Sequence, residues 1–384
     1  MSNPSDPGQA DRDLLVGMVR QFAADRIRPI AEDLDATERF PAEIYRELGE
    51  LGLLGITVPE AMGGSGGSAL DYAKVMEELA YGYASVADQC GLVELISSLL
   101  TEFGTDAQRA RYLPGLLAGT KYCAYALTEA EAGSDLGNLK TNARREGDGW
   151  VLNGEKVYIH NAPIADVAMV LAVTDKAKGR RGGMSMFLVD CDLPGVTRAY
   201  HEHKMGQRAS QVGGFVFEDV RLAPDAILGA EGAGFGAVLR VLEKGRVGIA
   251  ALALGIQRAA LDASIEHATT RIQFGKPIAE FQGVSFKVAD MATDYEAARL
   301  LVESAARKID AKDPGAGPAS SMAKVFASEA AVRNTSLAVQ IHGGSGYIKG
   351  VEVERLYRDA RVTMIYEGTS EVQRLIISRA YLRP

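Results

Sequence analysis

The sequence contains few cysteines, no excess of basic charge and no long apolar run. Its three cysteines, Cys90, Cys123 and Cys191, form no CxxC pair, which argues against a disulfide scaffold or a zinc ribbon and favours a reducing, cytoplasmic compartment. The 42 basic and 50 acidic residues give a net charge of −8, so we expect neither nucleic acid nor an anionic membrane surface as a partner. The longest apolar run, residues 247–256, is about half the roughly 20 residues that span a bilayer. Residues 1–13 are polar and acidic, unlike a signal peptide.

What the sequence does contain is ordinary globular composition in three successive patterns. Apolar side chains recur at helical spacing in residues 1–120, whereas β-rich runs such as 167–173 occupy residues 121–230. Residues 231–384 are helical again, with four segments joined by short turns, which is typical of a bundle. We therefore predict a mainly α protein with a central β-domain: an N-terminal helical domain, a middle β-barrel-like domain and a C-terminal four-helix bundle.

Within the middle region, Asn153 and Gly154 separate two short β-rich runs, residues 150–152 and 156–159. An Asn-Gly pair between such runs favours a two-residue hairpin turn, because both residues tolerate positive φ. We therefore predict a tight hairpin at this pair.

Three short motifs have both a chemical and a structural interpretation. The GxGxxA motif of residues 232–237 fits a loose dinucleotide fingerprint, but helices rather than a βαβ unit follow it, which favours a glycine cluster at a helix entry. The GxSxG motif of residues 63–67 has the form of a nucleophile elbow, but no clear buried strand precedes it, which favours a flexible loop. His201 and His203 would project from one face of a strand, yet no cysteine or carboxylate with ligand spacing accompanies them, so we expect no metal site.

Two glycine-rich turns and one acidic residue are stronger candidates for a functional site. Residues 128–135 and 342–346 can cradle a phosphate or a flavin edge, or can serve as structural turns. Glu367 lies between an apolar stretch and a helix N-terminus, beside Tyr366 and Gly368. A carboxylate that such neighbours keep from water has a raised pKa and is a better base near neutrality; the alternative is an exposed glutamate in a helix cap.

Five blocks follow one another along the chain: LTEAEAGSD at 127–135, LNGEK at 152–156, RIQFGKP at 271–277, QIHGGSGY at 340–347 and IYEGTSE at 365–371. Together they resemble the acyl-CoA dehydrogenase family, and the resemblance extends from about residue 11 to residue 381. It implies the same three-domain order, an FAD cofactor and a homotetramer, a dimer of dimers, in which each flavin site borrows residues from a neighbouring subunit.

By this resemblance, Glu367 is the catalytic base. It would remove the pro-R α-proton of an acyl thioester while the β-hydrogen leaves as hydride to flavin N5. The developing enolate needs donors at its carbonyl oxygen, which in the family are a flavin ribityl hydroxyl and the backbone N–H of the base. Some members carry the base on a bundle helix just before an arginine. That position is Gly245, before Arg246, so Glu367 has no rival.

The resemblance also assigns binding residues. Those implied for FAD are Tyr125, Leu127, Thr128, Gly133, Ser134, Tyr158, His160, Arg271, Phe274, Phe281, Gln282, Gln340, Gly343, Gly344, Thr369 and Glu371. Those implied for the acyl-CoA substrate are Ser134, Glu243, Arg246 and Gly368. The arginine and phenylalanine of the RIQFGKP block, and the glutamine and glycines of the QIHGGSGY block, are expected to reach the FAD of a partner subunit.

One departure from the family pattern concerns the flavin environment. The family commonly has Trp-Ile-Thr beside the flavin, with the threonine hydroxyl bonding near N5, whereas this chain has Tyr158-Ile159-His160. Tyr158 can replace the aromatic wall. His160 offers an imidazole N–H or only its backbone N–H, which leaves the redox tuning and the electron acceptor open.

The expected function is FAD-dependent dehydrogenation of an acyl-CoA to the trans-2-enoyl-CoA, with the electrons passed to an electron-transfer flavoprotein. The position of the base resembles that of short- and medium-chain members. Two alternatives stay open: a dehydrogenase for an unusual thioester (branched, cyclic, dicarboxylic or carrier-protein-bound), and a non-catalytic flavin-binding paralogue.

Overall fold

The computed structural model describes residues 8–382, so residues 1–7 and 383–384 of the predicted terminal domains, and the start of the polar N-terminal stretch, lie outside the described residues. The N-terminal region is helical, as predicted. Its α-helices are α1 Gln9–Phe22, α2 Ala31–Thr37, α3 Ala42–Glu50, α4 Ala69–Gly82, α5 Ala84–Phe103 and α6 Asp106–Leu117. Capping boxes begin α4 at Ser68 and α6 at Thr105, because each side chain accepts a backbone hydrogen bond from the third helical residue. Helix α5 is buried along most of its length.

The middle region folds into one eight-stranded sheet. Its strands are β1 Cys123–Ala126, β2 Asn142–Glu146, β3 Gly149–His160, β4 Val167–Val173, β5 Met184–Asp190, β6 Val196–His201, β7 Val212–Leu222 and β8 Ile227–Leu228. The order is β6-β7-β3-β2-β4-β5-β8, and β1 pairs in parallel with β4. The sheet has its own apolar core, in which Trp150 meets Phe187 edge to face and Phe215 stacks on Phe217.

The hairpin predicted at Asn153 and Gly154 is wrong. Strand β3 runs through both residues without a turn and pairs with β2 on one side and β7 on the other. A β-carbon on Gly154 would lie 2.4 Å from Thr141 Oγ1, and the register with β7 shifts between Leu152 and Gly154. The glycine therefore permits a close approach at a bulge, and the local turn signal is overridden by this contact.

The C-terminal region is a helical bundle. Its elements are α7 Gly234–Thr270, the short strands β9 Ile272–Gln273 and β10 Lys276–Pro277, and then α8 Gln282–Asp310, α9 Ala316–His342, α10 Glu352–Arg361 and α11 Ser370–Leu382. By length and composition α7 would be apolar enough to cross a membrane, but 78% of its most apolar window is buried inside the protein, as in the core helix of a bundle. The helical, sheet and helical order confirms the predicted fold class, while the domain boundaries stay predictions.

Two of the three short motifs have structural roles. Residues 232–237 lead into α7, and Gly232 accepts no side chain because a β-carbon there would lie 2.4 Å from the Gly182 carbonyl oxygen. In the GxSxG motif, the Ser65 hydroxyl donates to the Gly52 carbonyl oxygen at 2.6 Å and so braces the loop before α4. Both observations agree with the structural interpretations.

Candidate active site

Glu367 lies in a turn between the short 3₁₀ segment Val362–Met364 and α11. Its φ is +55°, in the left-handed region, and that of the following Gly368 is +89°. A non-glycine residue held in this region costs of order 1–3 kcal/mol and persists where its surroundings impose it. The turn thus has the backbone strain that is concentrated at functional sites.

One oxygen of the Glu367 carboxylate is shielded from water, while the residue as a whole is half-buried. Its Oε2 is buried and has no hydrogen-bond partner among residues 8–382. A β-carbon on Gly245 of α7 would lie 2.8 Å from this oxygen, so only glycine leaves the carboxylate its space. Burial raises the pKa of Glu367 to about 7, although Arg246 and Lys324 lower it, and the charge of Asp88 raises it further. The side chain is therefore a base that is half ionised near neutral pH.

Two side chains that were not among the predicted site residues hold this turn. Lys324 of α9 is fully buried and donates from Nζ to the Gly368 carbonyl oxygen at 2.7 Å. Gln373 donates from Nε2 to the Glu367 carbonyl oxygen at 3.1 Å and to that of Gly368 at 2.9 Å. Burial lowers the pKa of Lys324 to about 8. The sequence signal for the role of Lys324 was its position among the alanines of a core helix, where a charged side chain is rare.

Tyr125, at the end of β1, belongs to the same environment. Its hydroxyl is buried and has no partner among the described residues. Burial raises its pKa well above the ordinary value, and the charge of Glu367 adds to this effect, so the ring lies within electrostatic range of the base. The predicted flavin-side residue Tyr125 and the predicted base are thus brought together.

The turn of residues 127–135 is shaped by a buried ion pair. Lys156 donates from Nζ to Glu129 Oε1 at 2.8 Å and to the Leu127 carbonyl oxygen at 2.9 Å. Glu129 also accepts from the backbone N–H groups of Lys140 and Thr141, at 2.7 and 3.1 Å. These four hydrogen bonds fix the path of residues 127–135 beside β1. Glu129 of the LTEAEAGSD block and Lys156 of the LNGEK block therefore have a structural role that their spacing in the sequence did not reveal.

His160 and Tyr158 occupy different environments. His160 is half-buried, its Nε2 lies 2.8 Å from Gln89 Nε2 and 2.8 Å from Ser210 Oγ, and burial lowers its pKa. Tyr158 is 68% exposed and has φ +58°. The sequence pattern Tyr-Ile-His therefore places an imidazole in the interior and a phenol at the surface.

The other residues predicted for FAD or substrate separate by burial. Leu127 and Arg246 are buried; Thr128, Glu243, Phe281, Gly368 and Thr369 are half-buried; Gly133, Ser134, Arg271, Phe274, Gln282, Gln340, Gly343, Gly344 and Glu371 are exposed. The rings of His267 and His342 stack at 4.2 Å and so join the C-terminal ends of α7 and α9. The exposed residues of the RIQFGKP block follow α7, and those of the QIHGGSGY block lie at the end of α9. Phe274 is 93% exposed with φ +50°, an unusual state for a large apolar residue on a free surface.

The residues present fit an FAD. The buried Tyr125 hydroxyl has no partner and can meet a polar group of a cofactor. At Gly133, Gly343 and Gly344 a β-carbon would meet nothing within 4 Å, so the backbone is open to a bulky ligand. The structure therefore offers a dinucleotide both a buried polar group, the Tyr125 hydroxyl, and open backbone at the glycine turns.

The fold brings a carboxylate to His201 and His203 that their spacing in the sequence did not reveal. Glu38 approaches from the N-terminal region, its Oε2 lies 2.9 Å from His203 Nδ1, and ligand atoms of the three residues lie within 4.8 Å of one another. Glu38 is also paired with Arg208. This arginine satisfies the carboxylate as an ion pair and opposes a bound cation.

Three domain families match the chain in order. They are described as acyl-CoA dehydrogenase N-terminal domain at residues 9–120, middle domain at residues 124–220 and C-terminal domain at residues 232–382. Two relatives illustrate the sequence similarity. A 3-(aryl)acrylate reductase from Clostridium sporogenes is 43% identical, over 97% of this chain and 98% of the relative. The human mitochondrial short-chain specific acyl-CoA dehydrogenase is 44% identical, over 96% of this chain and 90% of the relative.

Solved structures give the same result. Butyryl-CoA dehydrogenase from Megasphaera elsdenii superimposes with a TM-score of 0.94 at 40% identity, with both chains fully covered. A chain from a structure described as the electron transferring flavoprotein of Acidaminococcus fermentans superimposes with a TM-score of 0.96 at 38% identity, again with full coverage. The chain therefore belongs to the acyl-CoA dehydrogenase family, FAD-dependent oxidoreductases that act on a CH–CH bond.

Proposed function

We propose that this chain converts a short- or medium-chain acyl-CoA to the trans-2-enoyl-CoA and passes the electrons to an electron-transfer flavoprotein. The observation that carries the proposal is the Glu367 carboxylate, whose Oε2 is buried with no partner among residues 8–382 and whose pKa burial raises to about 7. The similarity to a short-chain specific enzyme and to a butyryl-CoA dehydrogenase supports the chain length.

In this proposal Glu367 takes the α-proton of the thioester. The backbone N–H of Glu367 makes no hydrogen bond to another backbone group within the described chain, so it is free to donate to the thioester oxygen as negative charge develops there. Lys324 and Gln373 hold the neighbouring carbonyl groups and so fix the direction of this N–H. The FAD, when bound, supplies the two-electron acceptor for the β-hydrogen. A non-catalytic flavin-binding protein would not need a strained, desolvated glutamate.

We also propose that the working assembly is a homotetramer. Large apolar side chains of the bundle are exposed, a pattern that marks protein interfaces. They include Ile272, Phe274, Phe286, Tyr347 and Ile348, all at least 52% exposed. Six of the exposed predicted FAD residues lie in the same parts of the bundle, so a neighbouring subunit would cover both sets: Arg271, Phe274, Gln282, Gln340, Gly343 and Gly344.

The direction of the reaction is open to test because proton transfer at Glu367 can run either way near its pKa. A relative named as a 3-(aryl)acrylate reductase supports a reductive candidate, in which the protonated Glu367 donates to Cα of an enoyl thioester and reduced FAD, when bound, would supply the hydride to Cβ. We favour the oxidative direction because the short-chain specific relative is named as a dehydrogenase.

The test is anaerobic titration of the purified, yellow holoprotein with acyl-CoA thioesters of two to twelve carbons. We expect short and medium members to bleach the flavin and an electron-transfer flavoprotein to restore the colour. Enoyl-CoA thioesters, added to the dithionite-reduced protein, report the reverse direction. If no thioester bleaches the oxidised flavin and no enoyl thioester reoxidises the reduced one, the protein is not an acyl-CoA dehydrogenase.

A further inference from the structure

Asp88 is an acidic side chain on the helix face that borders the base. It lies seven residues, or two turns, before Leu95 on α5, so both side chains share one face of that helix. Leu95 Cδ1 lies 3.5 Å from the place where a β-carbon on Gly245 would sit, and Glu367 Oε2 lies 2.8 Å from the same place. The charge of Asp88 also reaches Glu367, since it raises the pKa of that carboxyl. Asp88 therefore lies on the side of α5 that faces Glu367, where an acyl group in contact with the base would lie.

A chain of hydrogen bonds fixes the protonation of the histidine beside Asp88. The Cys123 carbonyl oxygen can only accept, so the Asn161 amide nitrogen must face it, at 3.0 Å. The side-chain amides of Asn161 and Gln89 form two reciprocal hydrogen bonds, at 3.0 and 3.1 Å, and these bonds set the orientation of the Gln89 amide. The remaining Gln89 amide hydrogen points to His160 Nε2 at 2.8 Å. Nε2 is therefore an acceptor, and the proton of the imidazole is on Nδ1, 3.3 Å from Asp88 Oδ2.

His160 is thus neutral and does not cancel the charge of Asp88. Burial lowers the pKa of His160, which favours the neutral ring that the hydrogen bonds require. The Ser210 hydroxyl lies 2.8 Å from both Asp88 Oδ2 and His160 Nε2 and has one hydrogen to donate. The nearby ammonium of Lys204 is bonded to the Ser210 carbonyl oxygen. All described contacts of the Asp88 carboxylate are made by one oxygen, Oδ2.

The second oxygen of Asp88 is available to a ligand. Among residues 8–382, Oδ1 has no hydrogen-bond donor, and 12% of this half-buried side chain is accessible. A saturated acyl chain laid over this oxygen would remove its water without replacing the hydrogen bond, which costs free energy. A second carboxylate on the acyl group would be repelled by the like charge. A hydroxyl or an ammonium group would be attracted.

We propose that the acyl group of the substrate carries a hydrogen-bond donor, a hydroxyl or an ammonium group, that pairs with Asp88. This substrate class rests on the proposed dehydrogenation of an acyl-CoA. It narrows the thioesters that the sequence left open, because it disfavours dicarboxylic and plain alkyl acyl groups.

The experiment compares acyl-CoA probes that differ in one terminal group. The holoprotein is assayed by flavin bleaching with 4-hydroxybutyryl-CoA and 4-aminobutyryl-CoA against valeryl-CoA, and with 5-hydroxyvaleryl-CoA against hexanoyl-CoA. We expect kcat/KM for at least one donor-bearing probe to exceed that of its methyl-terminated match at least about tenfold, as for a hydrogen bond to a charged group. The hydroxyl and ammonium probes identify which donor is used.

Two substitutions at Asp88 test the residue itself. Asp88→Asn, which keeps the shape, is expected to retain FAD and to lose most of that preference, and Asp88→Leu is expected to reverse it. Glu94→Gln is the matched control, because Glu94 is a buried acid on the same helix whose oxygens are already bonded to Thr57 and Lys244. It should leave the preference unchanged. Dissociation constants from the spectral shift of Glu367→Gln protein, which cannot turn over, give a second readout.

Two outcomes separate the inference from its foundation. If methyl-terminated probes bleach the flavin as well as or better than every donor-bearing match, or if Asp88→Asn keeps a preference for the donor, the substrate class is wrong while the dehydrogenase stands. If no probe in either set bleaches the wild-type flavin and the longer alkyl thioesters also fail, the proposed function is wrong and the substrate class with it.

Discussion

The pH dependence of flavin bleaching follows from the buried carboxylate of Glu367. Burial raises its pKa to about 7, so about one tenth of the protein has an ionised base at pH 6 and about nine tenths at pH 8. Since kcat/KM reports the ionisation of free enzyme, we expect it to rise roughly tenfold between these pH values and then to level off. The charge of Arg246 lowers this pKa. Arg246→Gln should therefore move the midpoint of the profile to higher pH.

The assay is stopped-flow bleaching at limiting acyl-CoA, from pH 5.5 to 9 at constant ionic strength. An α-deuterated substrate is the control, because a kinetic isotope effect shows that proton removal limits the measured rate. A midpoint near about 4.3, the value for an exposed glutamate, would refute the reasoning. So would a flat profile, or an Arg246→Gln profile displaced to lower pH.

Two further substitutions test the supports of the site. Lys156→Met leaves Glu129 as a buried, unpaired charge and should lower the free energy of unfolding by about 3–5 kcal/mol, seen as a lower thermal midpoint and faster loss of FAD. Adding Glu129→Gln should recover part of this loss. A Lys156→Met variant as stable as wild type would contradict the role of the pair. Gly245→Ala puts a methyl group 2.8 Å from Glu367 Oε2 and should lower kcat/KM by about 100-fold with FAD retained. Gly236→Ala, on the same helix with nothing within 4 Å, is its control, and equal activity of the two variants would count against the crowded geometry.

The regular elements could be predicted from local pattern. The apolar spacing of residues 14–22 predicts α1, the apolar segment 84–103 coincides with α5, and the β-rich run 167–173 is β4. Helix α10 was missed because charged residues occupy most of its length and leave a stripe of three buried apolar or small positions.

The contacts between distant segments could not be predicted. Gly154 has the local sequence of a turn residue, yet its role is set by its contact with Thr141, the residue just before β2. From the sequence, Lys324 would be expected to be a solvated helix residue. In the structure, α9 packs against the turn that contains Glu367, and Lys324 bonds to that turn. Asp88 has an acidic side chain in an apolar helix, but only the fold shows that His160 is its neighbour. Spacing along the chain carries no information on which side chains meet.

The central claim is that one carboxylate, kept from water, removes a proton from carbon, and the Glu367→Gln protein tests it most directly. Glutamine keeps the size of the side chain but cannot accept the proton. We predict that this variant retains FAD and still shifts the flavin spectrum when acyl-CoA is added, while the bleaching rate falls at least roughly 10³-fold. Bleaching at a rate near that of wild type would contradict the claim.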